Sequence, residues 1–116
     1  MSCSHLPDPL YQTEHGAVYA CPECGWFNIL FGPAMLAQSR PGFYAFCELI
    51  RTLEPSADFA LHGHPRCYHL HTADRRFGLA LTASELEDLR ELMNGAAAMD
   101  ELQTIIDRTV DPSRPD

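Results

Sequence analysis

The segment Cys21-Pro22-Glu23-Cys24-Gly25-Trp26 constrains the fold of this chain more than any other stretch. Its two cysteines are separated by two residues, a proline lies between them and a glycine follows. A tight turn of this composition aims both sulfur atoms at one point, and the glycine permits the backbone conformation needed to leave the turn. Because strand-like segments flank the turn, we predict a zinc knuckle at the tip of a β-hairpin. One such pair is half of a tetrahedral site, so other residues must complete it.

The length and the charge of the chain limit what it can bind. A chain of 116 residues suits one domain, and an apolar content of 46% is enough for a hydrophobic core. The net charge is −8, and all 8 basic residues are arginines. An acidic chain without a basic patch is a poor match for the phosphates of a nucleic acid, and no apolar segment approaches the length of a membrane span. We therefore expect neither a nucleic acid nor a membrane as a partner.

The cysteine content indicates a reducing environment. The chain has 5 cysteines, an odd number, and its first residues contain neither the basic start nor the apolar run of a signal peptide. We therefore predict a cytoplasmic protein. In that compartment a close cysteine pair more often holds a metal or performs redox chemistry than forms a structural disulfide.

The first half of the chain predicts strands followed by a helix. Residues 1–15 are polar and contain two prolines, so we expect an irregular arm there. Strands are predicted at Gly16–Ala20, at residues 26–31 and at Ala34–Gln38. A helix begins after Ser39, where a proline fits the first turn, and ends before Pro55. Its apolar stripe comprises Phe43, Phe46, Cys47, Ile50 and Leu53.

The second half repeats this order. Residues 55–65 indicate a loop with a short extended piece at residues 59–61, and strands are predicted at residues 67–72 and 77–81. A capping box at residues 82–85 starts a second helix, in which Asn94-Gly95 marks an end or a kink. We predict an α+β fold with a mostly antiparallel sheet and two main helices. Two such units can share one sheet, with the helices on one face.

Two groups of residues compete for the other half of the metal site. The first is Cys3 with His5, because a Cys-x-His pair on a polar arm has no role in core packing and a metal would tether the arm. The second, the histidine cluster, comprises His62, His64, Cys67, His69 and His71. On a strand, the last three members of this cluster point to the same face. Simple exposure to solvent also accounts for either group, since polar side chains normally occupy the outer face of a half-buried strand.

A redox dithiol is the alternative to metal binding at Cys21 and Cys24. Thiol–disulfide enzymes place the first cysteine at a helix N-terminus, which lowers its pKa, whereas the residues after Cys24 predict a strand. Cys47 lies on an apolar stripe and is interpreted as a small buried hydrophobic residue. The sequence contains neither a glycine-rich phosphate loop nor an oriented nucleophile and base, so it favours a role without catalysis.

Several motifs occur in a recognisable order along the chain. They are Cys3-x-His5, then Gly16-x-Val18-x-x-Cys21-x-x-Cys24-Gly25, then Phe31-Gly32, then a helix with Phe43 and Phe46, and finally Leu81-Thr82-x-x-Glu85-Leu86-x-x-Leu89. Together they resemble an uncharacterised family of small bacterial proteins over residues 3–106. The resemblance implies that Cys3, His5, Cys21 and Cys24 form one ligand set. It gives the additional histidines no role and implies no reaction or partner.

These observations combine into one prediction of function. Residues 1–110 are expected to form a single zinc-binding α+β domain, and residues 111–116 a disordered tail. One Zn²⁺ held by the four ligands has no open position for water and is therefore structural. The chain would act as a small protein-interaction or regulatory module, with a protein or a second copy as its partner. The alternatives are a metal sensor or carrier that uses the histidine cluster, and a thiol-redox protein that uses Cys21 and Cys24.

Overall fold

The computed structural model describes residues 8–57, 61–71 and 75–109. Its elements confirm the predicted α+β class, because antiparallel strands precede each of the two helices that are defined within these ranges. The predicted end of the domain at residue 110 and the predicted tail at residues 111–116 lie outside the described residues. No helix in the described part of the chain is both long enough and apolar enough to cross a membrane.

The first sheet is an antiparallel meander of four strands. In chain order they are β1 (Tyr11–Thr13), β2 (Gly16–Ala20), β3 (Phe27–Phe31) and β4 (Ala34–Gln38). The last three strands lie where the sequence predicts them. The prediction of an irregular arm over residues 1–15 is wrong at β1. This strand pairs with β2, with Tyr11 opposite Val18 and Thr13 opposite Gly16. Three residues carry too little alternation to signal a strand, and it is the pairing with β2 that defines this one.

The first helix, α1 (Arg40–Thr52), begins as predicted. The side-chain oxygen of Ser39 accepts a hydrogen bond from the backbone N–H of Gly42 at 3.2 Å, which satisfies one of the free donors of the first turn. The helix buries Phe43, Phe46 and Ile50 against the first sheet and the second helix.

The second sheet is a two-stranded ribbon of β5 (Tyr68–His71) and β6 (Gly78–Leu81). Among the described residues it forms no backbone ladder with the first sheet. These residues therefore form two sheets, whereas the sequence allowed both units to share one. Leu70 and Leu81 are buried in the common core. The extended piece predicted at residues 59–61 is not found at Leu61, which is helical, and residues 59 and 60 lie outside the described residues.

The second helix, α2 (Ala83–Thr109), starts at the predicted capping box. The Thr82 hydroxyl accepts from the N–H of Glu85 at 3.1 Å, and the Glu85 carboxylate accepts from the N–H of Thr82 at 2.9 Å. The helix continues through Asn94 and Gly95, where the sequence indicates an end or a kink. A single glycine costs a helix only about 1 kcal/mol, and the apolar residues before and after it are buried.

One hydrophobic cluster joins both sheets and both helices. At its centre the rings of Phe27 and Phe43 are stacked, with their centroids 4.2 Å apart. The guanidinium of Arg40 lies over the Phe27 ring, 5.2 Å from its centroid. This contact fixes the start of α1 beside the first residue of β3.

Candidate metal-binding site at the Cys21–Cys24 turn

The cysteine pair lies on the turn between β2 and β3. The N–H of Cys21 donates to the carbonyl of Trp26 at 2.9 Å, which extends the pairing of the two strands by one residue beyond Ala20 and Phe27. The N–H of Gly25 donates to the carbonyl of Cys21 at 3.0 Å, and the φ angle of Gly25 is +77°. A side chain at this position would strain the backbone. The predicted hairpin tip is therefore present, and Gly25 has the conformation that the motif requires.

The chemistry of the turn fits half of a zinc site. Cys21 is buried, with 4% of its surface exposed, and Cys24 is half-buried. Two thiols on one turn are soft donors of the kind that zinc prefers. Within residues 8–57, 61–71 and 75–109, no three His, Cys, Asp or Glu side chains are grouped so that they could hold a metal ion.

The local structure does not provide the arrangement that activates a redox thiol. Cys21 follows a strand, and the chain after Cys24 leads directly into β3. Neither cysteine stands at the start of a helix, which is where thiol–disulfide enzymes place the reactive cysteine.

The direction of β1 brings the N-terminal part of the chain towards the turn. We define the knuckle end of the first sheet by Ala20, Phe27 and Gln38, which are paired in that order. Because β1 is antiparallel to β2, the chain that precedes β1 leaves the sheet at the knuckle end. The N–H of Leu10 still donates to the carbonyl of Val18 at 2.7 Å.

Cys3 and His5 lie outside the described residues. Cys3 is seven residues before Leu10, and an extended chain of that length spans about 25 Å. The predicted ligands are thus attached to the sheet at the same end as the Cys21–Cys24 turn, by a segment that is long enough to reach it.

The histidine cluster lies on the second sheet and the loop before it. Tyr68 and Leu70 pack towards the core, while His69 is half-buried and His71 is exposed on the other face of β5. This alternation agrees with the predicted common face for His69 and His71, whereas Cys67, the third predicted member, lies before β5. A ring nitrogen of His69 lies 3.1 Å from the carbonyl oxygen of Arg66. All five cluster residues are described, and no three of them are gathered around one point that could hold a metal.

Cys47 is engaged with the core. It is half-buried against the hydrophobic cluster, and its thiol lies 4.0 Å from the carbonyl oxygen of Met93. Burial raises the pKa of the Cys47 thiol to about 11. These features agree with a small hydrophobic residue and not with a thiolate ligand or a nucleophile.

The sequence did not predict a polar cluster around one buried carboxylate that joins the two helices. Asp100 on α2 is buried, with 5% of its surface exposed. Its carboxylate accepts hydrogen bonds from the guanidinium of Arg40 and from the hydroxyl of Tyr44, each at 2.5 Å. Burial, followed by donation to Asp100, raises the pKa of Tyr44 well above its usual range, so the hydroxyl stays protonated as a donor. The sequence did contain a signal for the burial of Asp100. This residue follows Ala96 by four positions, so it continues the stripe of buried residues along α2.

The helix α2 runs along β2 towards the knuckle end. A Cβ atom at Gly16 would lie 3.1 Å from the Cδ2 atom of Leu92. A Cβ atom at Gly95 would instead meet the ring of Tyr11, which is paired with Val18 further along β2. Moving from Leu92 to Gly95 along the helix therefore corresponds to moving from the start of β2 towards Cys21.

A groove of about 380 Å³ lies at the opposite end of the first sheet. It lies between the turns of that sheet and the ribbon, and polar side chains at its edge lie close to one another. His15 lies 3.5 Å from the Asp88 carboxylate, and Arg66 forms an ion pair with Glu85. The hydrogen bond from the backbone of Thr82, and then the one from Arg66, hold the pKa of Glu85 below its usual value.

Comparisons with known proteins identify no relative of this chain. No protein-family model, no curated protein and no solved structure matches it. The resemblance to a family of small bacterial proteins therefore remains a prediction.

Proposed function

We propose that the chain is a small zinc-binding protein in which one Zn²⁺ is structural, and that it acts as a protein-interaction or regulatory module. The proposed ligands are Cys3, His5, Cys21 and Cys24. One observation carries this proposal. The Cys21–Cys24 turn lies at the same end of the first sheet as the point where the chain before Leu10 leaves that sheet. The chemistry of the ligands supports it as well, because structural zinc sites use thiolates and imidazoles.

The metal would contribute to folding and not to catalysis. Three thiolates and one imidazole fill the four positions of a tetrahedral zinc ion, so no position remains for water or substrate. Zinc bound in this way attaches the first residues to the β2–β3 hairpin, and its binding free energy becomes folding free energy. Reduced thiols are required for this, which supports the proposed cytoplasmic location.

An uncharged sheet face supports the proposed interaction with a protein. Side chains that alternate with the buried residues of the first sheet point away from the helices. They belong to Gln12, Tyr19, Asn28, Leu30, Met35 and Ala37, and to Ala17, whose small side chain is itself buried. None of these seven is charged in a chain whose net charge is −8, and Met35 is 71% exposed. Neutral faces with exposed large apolar side chains are typical of surfaces that bind proteins.

Metal analysis of purified, untagged protein tests the site. We expect about one zinc ion per chain in the wild type and a sharp loss in both Cys3→Ala and Cys24→Ala. Cys47→Ala is the matched control, because the Cys47 thiol is half-buried against the core beside α2 and its loss should leave the zinc content unchanged. Circular dichroism should show that a strong chelator unfolds the wild-type protein.

Two other results would contradict the proposal and identify the alternative. Zinc that survives in Cys3→Ala but is lost in Cys67→Ala or His69→Ala would assign the metal to the histidine cluster, as expected of a sensor or carrier. Freshly purified protein without metal, in which Cys21 or Cys24 is alkylated rapidly near neutral pH, would instead indicate a redox dithiol.

A further inference from the structure

The strand β4 is an edge of the first sheet. Among the described residues it forms a ladder with β3 alone, so no strand pairs with its other side. The edge of a sheet presents backbone N–H and C=O groups at the spacing of a ladder and is therefore a template for another strand. The positions of these groups on β4 define the partner that fits.

The backbone groups that point to this edge belong to Met35 and Ala37. The N–H of Cys21 donates to the carbonyl of Trp26, and bonded pairs alternate along an antiparallel ladder. Trp26 and every second residue after it in β3 therefore point to β2, and the residues between them point to β4. Their partners in β4 include Leu36. Its two neighbours, Met35 and Ala37, direct their N–H and C=O groups outward.

The edge of β4 lacks the features that keep edges from pairing. Proteins protect their edge strands by shortness, proline, charge or a cover. The opposite edge of the sheet, β1, has three residues and is flanked by Pro9 and Glu14. In the ribbon, the side chain of Arg66 donates to the carbonyl of Ala80. The strand β4 has five residues without a charge or a proline, and Met35 is 71% exposed.

An uncharged flank of α1 lies beside the same edge. Tyr44 and Cys47 lie on the side of α1 that faces α2, near Asp100 and Met93. At about 100° per residue, Leu49 is roughly 140–160° away from both, on the opposite flank of the helix. Because α2 packs on β1 and β2 whereas α1 packs on β3, this opposite flank faces past β4. Its residues are Gly42, Ala45, Leu49 and Leu53, none of them charged.

We propose that two copies of the chain pair along β4, as antiparallel strands related by a two-fold axis at Leu36. The two four-stranded sheets then become one continuous sheet. Met35 of each copy lies opposite Ala37 of the other, and each such pair exchanges two hydrogen bonds. All the outward backbone groups of Met35 and Ala37 are thereby satisfied in both copies.

Neighbouring registers satisfy these groups less well. A shift of two residues in one direction places Ala37 opposite Pro33, which has no N–H to donate. The same shift in the other direction places Met35 opposite Ser39, which lies beyond the strand and caps α1. The register centred on Leu36 also sets the large side chain of Met35 beside the small one of Ala37.

The flank of α1 selects a second copy as the occupant of this edge. A short peptide could bond to the edge but would leave the flank uncovered, whereas the two-fold axis brings the same flank of the second copy to it. Phe43 stacks on Phe27, so α1 lies above β3, and the two helices are about 14 Å apart at a strand spacing of about 4.8 Å. That distance leaves room between them for Leu49 from both copies, which is 39% exposed in one chain.

The charge of the chain favours the same contact. Two copies with a net charge of −8 repel one another, and a contact made by β4 and this flank of α1 brings no charge of either copy into it. The uncharged outer face of the first sheet would continue from one copy to the other.

This inference rests on the proposed function as an interaction module and specifies its partner, but it uses no metal ligand. The two can therefore fail separately. Zinc content and molecular mass measured on the same samples distinguish a lost metal site from a lost contact between copies.

Sedimentation velocity of the full chain over a wide range of concentrations tests the pairing. We expect a species of twice the 13.0 kDa chain mass that dissociates on dilution. Ala37→Pro removes an outward N–H that β3 does not use, so the fold should tolerate it. The variant should weaken the dimer by at least about tenfold, because two of the four hydrogen bonds between the copies are lost.

Gln12→Pro is the matched control for this variant. The carbonyl of Val18 accepts from Leu10, so Val18 and its partner Tyr11 bond to one another's strands and the N–H of Gln12 points away from β2. The same change is thereby made at the opposite edge of the sheet, and it should leave the dimer intact.

A change on α1 tests the contact without altering the backbone. Leu49→Glu should also weaken the dimer by at least about tenfold, because two carboxylates would face each other across the axis. Leu102→Glu is the control, since it adds a charge at an apolar residue of α2 that is 48% exposed and lies outside the contact. Far-UV circular dichroism checks that all four variants remain folded.

Cross-linking tests the register. In an equal mixture of Met35→Cys and Ala37→Cys, mild oxidation should join the two introduced thiols, because the Cα atoms of a bonded pair are about 5.5 Å apart, within the range of a disulfide. Peptide mapping by mass spectrometry identifies the pair. Each variant oxidised alone should give much less of the corresponding cross-link.

Three results would overturn the proposal. The first is a wild-type chain that stays monomeric at every concentration, which would leave the edge to a strand of another protein. The second is a dimer that tolerates both Ala37→Pro and Leu49→Glu, or that is lost in Gln12→Pro, since the contact would then lie elsewhere. The third is a cross-link that forms as readily in one variant alone as in the mixture, which would contradict the register centred on Leu36.

Discussion

Gly95 lies in the middle of α2, where alanine normally improves a helix, yet we predict that Gly95→Ala destabilises this protein. A Cβ atom at position 95 would lie 2.6 Å from the Cδ2 atom of Tyr11 and closer still to two other atoms of the ring. Carbon atoms in contact stay about 3.5–4.0 Å apart, so the overlap is about 1 Å or more. The Tyr11 ring is half-buried against the core, so turning it away from position 95 would cost the packing that it makes there.

Two effects of opposite sign determine the size of the change. In a helix without neighbours, Gly→Ala increases the free energy of unfolding by about 1 kcal/mol. Overpacking in a tight contact lowers it by about 1–3 kcal/mol, and an overlap of about 1 Å with a ring packed on the core belongs at the upper end of that range. The expected net loss for Gly95→Ala is about 2 kcal/mol. For a domain of this size, the melting temperature should fall by roughly 8 °C.

Urea unfolding monitored by circular dichroism measures this change. Asn94→Ala is the matched control, because it improves the helix at the neighbouring exposed position and should stabilise the protein slightly. In a Tyr11→Ala background the ring is absent, so Gly95→Ala should then stabilise by about 1 kcal/mol, which gives a coupling of about 3 kcal/mol between the two sites. A Gly95→Ala single variant that is more stable than the wild type would refute the close contact between α2 and β1.

Three further predictions follow from the polar and thiol groups. Asp100→Ala removes the acceptor shared by Arg40 and Tyr44. Because the guanidinium is 52% exposed and can turn to solvent, we expect thermal unfolding to show a loss of about 2 kcal/mol, less than the roughly 3–5 kcal/mol of a fully buried pair. The pKa of Glu85 is lower in the folded protein than its value near 4.5 in the unfolded chain. The ionised carboxylate therefore stabilises the fold at pH values above about 4.5, and this contribution is lost as the pH falls through the folded pKa. Glu85→Gln should therefore flatten the acid side of the pH dependence of the urea midpoint, and an unchanged slope would contradict this role. Cys47, with its pKa raised to about 11, should be alkylated much more slowly than an exposed cysteine, and rapid labelling of the native protein in mass spectrometry would contradict its burial.

Local signals in the sequence are sufficient to predict the turns, helix caps and strands that have strong residue patterns. The Cys21–Cys24 turn, the capping box at Thr82 and the cap at Ser39 depend on hydrogen bonds between residues close in sequence, so residue type and spacing determine them. The strands from β2 to β4 have enough apolar and β-prone residues to be recognised alone. For these reasons the α+β class and the order of strands before each helix could be predicted.

Contacts between distant residues explain what the sequence did not reveal. The strand β1 is defined by its partner β2 and by the packing of Tyr11 on Gly95, 84 residues later. Gly95 was interpreted as an end or a kink because glycine is a poor helix former, whereas in the fold it provides the space for that ring. Asp100 is 60 residues from Arg40, and no local pattern joins the two. The division into two sheets likewise depends on packing that periodicity does not encode.

Three features of the molecule lie towards the knuckle end of the first sheet. The Cys21–Cys24 turn is there, the chain before Leu10 departs there, and α2 runs towards it past its contact with Tyr11. Zinc that attaches the first residues to the turn would hold β1 more firmly against both β2 and α2. The binding free energy of the metal would then stabilise contacts that lie away from its own ligands, which is how a structural site contributes to folding.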